Sequence, residues 1–66
     1  MSEQIKISLE AARVNAQMTI NQVAETLHIS RNSIINWEKG RTQISAKAFL
    51  SLCELYGVPA DYIFLP

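Results

Sequence analysis

Arg31, Asn32 and Asn36 are the side chains of this chain best suited to chemical recognition. An arginine presents a two-pronged donor that matches O6 and N7 of guanine, and an asparagine both donates to N7 and accepts from N6 of adenine. On one helix the three would share a polar face. The same residues would also be at home on a merely solvated helix surface, so the surrounding elements decide between the two readings.

Those elements run from Thr19 to Arg41. Ile20, Val23, Ala24 and Leu27 have helical spacing, Ile29 follows in a turn, and Ile34 and Trp37 lie three apart on a second helix. One buried seam therefore joins the two helices. Thr19 followed three residues later by Gln22 is a capping box for the first, and Ser30 suits the N-cap of the second. Ala24 is small enough for a close helix crossing. His28 falls where such a turn requires a positive φ, which histidine tolerates better than most residues. Two short helices around a tight turn, with a polar face on the second, fit a DNA major groove.

The spacing of Arg13, Val23, Ala24, Ile29, Ser30, Ile34 and the run Trp37, Glu38, Lys39, Gly40, Arg41 resembles the Cro and phage-repressor, or Xre-type, helix-turn-helix family. Phe49 to Val58, followed by Asp61, Tyr62 and Ile63, extends the likeness over nearly the whole chain. The resemblance implies an all-α, compact five-helix, lambda-repressor-like DNA-binding domain spanning residues 1–66. Local signals place helices at about 9–17, 20–27, 30–39, 46–56 and 59–64. Ser8 and Ser45 are N-caps, Ile44 and Phe49 form a hydrophobic staple, and Gly40 and Gly57 are left-handed stops. Pro59 fits the first position of the last helix, with Asp61 in its first turn. In the resembling family the arginine matching Arg13 pairs with the glutamate after the tryptophan, which implies an Arg13–Glu38 ion pair here.

Composition narrows the functional classes. A chain of 66 residues is one domain that buries only about 60% of its unfolded surface, which leaves little room for an internal ligand. No cofactor or small-molecule effector is expected. Neither a signal peptide nor a bilayer-spanning run of roughly 20 residues is visible, so a cytoplasmic protein is expected and no membrane partner. Cys53 lies on the apolar stripe of Phe49, Leu52 and Tyr56, as a buried thiol would. With His28 as its only conceivable co-ligand there is no zinc set, and no metal site is expected. No nucleophile and base arrangement and no glycine-rich phosphate loop occur, so the chain is not read as an enzyme.

Six basic and six acidic residues give a formal charge of zero, whereas DNA binders are commonly basic. The distribution answers this objection, because Arg31, Lys39, Arg41 and Lys47 cluster in or after the second motif helix. Glu38 is the acidic exception there, and Arg13 would neutralise it.

The expected function is a sequence-specific double-stranded DNA-binding transcriptional regulator, a prokaryotic or phage repressor reading the major groove with helix 30–39. Arg31, Asn32 and Asn36 would contact bases. Thr19 and the amide of Ile20, at a helix N-terminus, with Ser30, Lys39, Arg41 and Thr42, would contact phosphates. Trp37 is expected in the core. Ile35 should face outward, either to touch a thymine methyl or to cover the core edge. A homodimer through the C-terminal helices would set two recognition helices about 34 Å apart. The alternative is an antitoxin or antirepressor-like protein-interaction module, suggested by the neutral charge, Ile35 and the pair Phe64, Leu65.

Overall fold

The computed structural model describes residues 6–66. Four α-helices follow one another: α1 (Leu9–Asn15), α2 (Ile20–Leu27), α3 (Arg31–Glu38) and α4 (Ala46–Tyr56). Each begins with a hydroxyl N-cap. The oxygens of Ser8, Thr19, Ser30 and Ser45 accept from the amides of Ala11, Gln22, Ser33 and Ala48 at 3.0–3.1 Å. At α2 the capping box is complete, because the Thr19 amide also donates to Gln22 Oε1 at 2.8 Å. Each cap satisfies a helix-start donor that has no partner within the helix.

The helices also end alike. Met18, Ile29, Arg41 and Val58 each donate a backbone N–H to the carbonyl five residues earlier, at 2.9–3.2 Å. That closure requires one left-handed residue before the donor, and Gln17, His28, Gly40 and Gly57 supply it with φ of 59°, 57°, 72° and 70°. Helix α1 therefore stops at Asn15 and not at Gln17 as the spacing suggests, and α3 occupies 31–38 between its caps and not 30–39.

The fifth helix expected over 59–64 is a three-residue 3-10 turn, Ala60–Tyr62. Beyond it the chain becomes extended at Ile63 (φ −113°, ψ 129°). Ile7 N–H donates to the Tyr62 carbonyl at 2.8 Å and Phe64 N–H to the Ile7 carbonyl at 3.1 Å, a single parallel bridge between Ile7 and Ile63. This pairing across more than fifty residues competes with helix propagation and wins, since so short a segment gains little from helical bonds. Ile63 is delivered into the core as a result.

That core is Leu9 and Ala12 of α1, Val23 of α2, Ile34 of α3, Leu52, Cys53 and Tyr56 of α4, and Ile63. Helix α3 packs on both α1 and α2, while α4 packs on α1 and the 3-10 turn. Every element thus contributes to one cluster, and the turn between α2 and α3 is fixed from both sides. Burial raises the Cys53 thiol pKa, which keeps it protonated and unreactive.

The two glycine stops differ in surroundings. A Cβ at Gly57 would meet nothing within 4 Å, whereas one at Gly40 would lie 2.9 Å from Pro66 Cβ. Gly57→Ala should therefore cost only the left-handed penalty, about 1 kcal/mol. Gly40→Ala should cost more, and urea unfolding of the two variants with unchanged m-values measures the difference.

Candidate nucleic-acid interface

Helix α3 buries Ile34 and half-buries Trp37 against the core, which turns Arg31, Asn32, Ile35 and Asn36 to the opposite side. At 3.6 residues per turn these four fall within about 140° of the circumference. Arg31 and Asn32 are exposed, and Ile35 and Asn36 are half-buried. From 31 to 36 the helix rises about 7.5 Å, enough to face two to three base steps. Among the described residues the side chains of Arg31, Asn32 and Asn36 have no hydrogen-bond or ion-pair partner, both ion pairs belonging to Arg13. Ile35 does not pack on the core cluster. It adds a hydrocarbon patch between the polar groups.

Around this face lie the residues expected at phosphates. Thr19 is exposed at the start of α2, but its amide is taken by Gln22 and its oxygen by the Gln22 amide. What Thr19 offers outward is its hydroxyl hydrogen. Ile20 packs its side chain against the core, so it offers a backbone N–H alone. Ser30 accepts from the Ser33 amide and sits 2.9 Å from Ser33 Oγ. One hydroxyl hydrogen is shared between the two serines and one is left to donate, which brings Ser33 into the candidate site. Spacing did not single it out because Ser33 is spent, in sequence terms, on receiving the cap. Lys39, Arg41 and Thr42 are exposed beyond the other end of α3.

Trp37 is not wholly enclosed. It forms one wall of a cleft of about 320 Å³ that also involves Arg41, Thr42, Ile44, Leu65 and Pro66. The cleft arises because Gly40 turns the chain back and the C-terminal residues lie across it, a long-range arrangement that no local pattern announces.

The outer face of α3 is held from behind by Arg13. Its Nε donates to Glu38 Oε2 at 2.8 Å and its Nη2 to Glu38 Oε1 at 3.3 Å. Its Nη1 donates to the Met18 carbonyl at 3.1 Å. Both side chains are nearly buried, at 11% and 7% exposure. The hydrogen bond to Glu38 raises the arginine pKa against an opposing effect of burial, so the guanidinium stays charged. Tyr56 lies beside the pair. Its hydroxyl is buried without a partner among the described residues, and burial first, then the Glu38 charge, push its pKa up to about 12.

A family model described as a helix-turn-helix domain matches residues 1–65. The chain belongs to that helix-turn-helix family, whose membership points to a DNA-binding regulator. No curated protein and no solved structure matches the chain. No helix among the described residues is long and apolar enough to cross a membrane.

Glu38→Ala strands the Arg13 charge and should cost about 3 kcal/mol, measured by urea unfolding. Tyr56→Phe removes a hydroxyl that makes no hydrogen bond among the described residues and should leave stability at pH 7 unchanged or slightly higher. The wild-type chain behaves differently in alkali. An unfolded tyrosine loses its proton near pH 10, while the folded one keeps it to about pH 12. Tyr56 thus leaves stability unaffected below pH 10 and lowers it progressively between pH 10 and 12, by about 2 to 3 kcal/mol in all. The fall in stability over that window should be shallower in Tyr56→Phe.

Proposed function

We propose that this protein is a sequence-specific regulator of transcription that docks α3 in the major groove of double-stranded DNA and acts as a prokaryotic or phage-type repressor by occupying its operator. The observation that carries this reading is the outward face of α3, on which Arg31, Asn32 and Asn36 stand without partners among the described residues. Arg31 reads guanine, the asparagines read adenine, and Ile35 touches a thymine methyl between them. Lys39, Arg41 and Thr42 at one end, and Thr19, the Ile20 amide and the Ser30–Ser33 hydroxyl pair at the other, hold phosphates and set the register. Binding needs neither cofactor nor metal, and no reaction chemistry is involved.

A second reading is a protein-interaction module of antitoxin or antirepressor type. Exposed Tyr62, Phe64 and Leu65 favour it, at 52%, 49% and 45% exposure. The two readings separate in one experiment. Selection from a random duplex library should enrich one sequence for the wild-type chain, and Arg31→Ala should relax preference at one guanine, by about 1 to 3 kcal/mol. Lys39→Ala should instead weaken all duplexes alike and reduce the salt slope by about one. Salt-sensitive binding with no enriched sequence, or no binding, would sink the groove-reading proposal.

A further inference from the structure

Helix α4 carries a face that no other part of the described chain covers. Leu52, Cys53 and Tyr56 are buried, and Lys47, Leu50 and Glu54 lie on the opposite side at spacings of three and four. Leu50 is 59% exposed, the most exposed large hydrophobic residue among those described. Lys47 and Glu54 flank it one turn away on either side, and neither side chain forms an ion pair among the described residues. Beside the stripe an apolar groove of about 230 Å³ runs between α4 and the α2–α3 turn, lined by Leu27, Ile29, Lys47, Ala48 and Ser51.

We propose that this face binds the same face of a second copy, with the two α4 helices antiparallel about a twofold axis that passes between residues 50 and 51. The charges select that arrangement. Positions 47 and 54 are equally distant from the axis, so Lys47 of each copy meets Glu54 of the other, twice. Leu50 of one copy meets Leu50 of its partner between them. A parallel pairing would set lysine against lysine and glutamate against glutamate, which like-charge repulsion disfavours. A twofold contact needs a self-complementary patch, and a stripe with an apolar centre and opposite charges at its two ends meets that requirement. The interface is small, so the association is weak and is reinforced when both copies sit on one duplex.

The purpose of this dimer rests on the DNA-binding reading, but its existence does not, and the experiment therefore contains no DNA. Sedimentation equilibrium of the 66-residue chain at low salt, from about 10 μM to 1 mM, should show a monomer–dimer equilibrium. K47E and E54K should each weaken self-association by about tenfold or more, and the double variant K47E/E54K should restore it. An equimolar mixture of the two single variants should form heterodimers, since one carries two acidic and the other two basic groups on the face. Leu50→Ser should weaken association while circular dichroism remains unchanged. A chain that stays monomeric throughout, or a dimer indifferent to the single charge reversals or not rescued by the double, would overturn the proposal. Self-association of this kind in a chain that selects no DNA sequence would retain the interface and reject the groove reading alone.

Discussion

Arg13 ties together by polar bonds three parts of the chain that also meet in the hydrophobic core. Its guanidinium grips the carboxylate at the end of α3 with two nitrogens and the Met18 carbonyl with the third. Met18 is itself the residue whose amide closes α1 onto the Arg13 carbonyl. The end of α1, the link to α2 and the end of α3 are thus fixed relative to one another by one side chain. A planar guanidinium supplies three correctly directed donors at once, which a lysine ammonium on a flexible stem would not reproduce. The cost of burying a charge here is offset only because every donor direction used has an acceptor.

This tie determines what the outer face of α3 can do. With the end of the helix held through Glu38 and its start held by the Ser30 cap, the eight residues of α3 have little freedom to roll about their axis. Side chains that must meet base edges within a few tenths of an ångström depend on that restraint, because hydrogen-bond recognition decays steeply with misalignment. The ion pair also removes the one acidic group of α3 from the face's electrostatics. Of the cations on α3 and just beyond it, namely Arg31, Lys39 and Arg41, none forms an ion pair among the described residues.

Much of this was legible in the order of residues because the signals are local. Helices α2 and α4 have the limits that Thr19, Gln22, Ser45 and Gly57 announce, since a capping hydroxyl or a stop glycine acts within one turn. Helix α1 runs shorter than its spacing suggests because Gln17, a residue with no preference for positive φ, takes the left-handed position. Its reward is the pair of bonds from Gln17 and Met18 to Val14 and Arg13, visible only once the chain turns. The final segment departs further, because the partner that makes Ile63 extended is Ile7. At the candidate site, the side of α3 that faces out follows from Ile34 and Trp37 alone. The role of Ser33 and the cleft beside Trp37 depend on which atoms the fold has already satisfied, and sequence spacing carries no record of that.

Charge limits how such a protein could hold DNA. A chain of zero formal charge has no long-range attraction to a polyanion as a whole, so any electrostatic gain must come from the local field beside α3. The proposed three or four phosphate contacts per copy would release few counterions, and the affinity of one copy at physiological salt would accordingly be modest. Two copies joined even weakly change this, because the second binding event becomes intramolecular and its effective concentration multiplies the first. Weak nonspecific attraction combined with paired reading favours discrimination over tight binding: a lone half-site retains neither the charge nor the second helix needed to compete. The near-neutral surface that at first argues against nucleic acid is then compatible with a regulator whose occupancy depends on two correctly spaced half-sites.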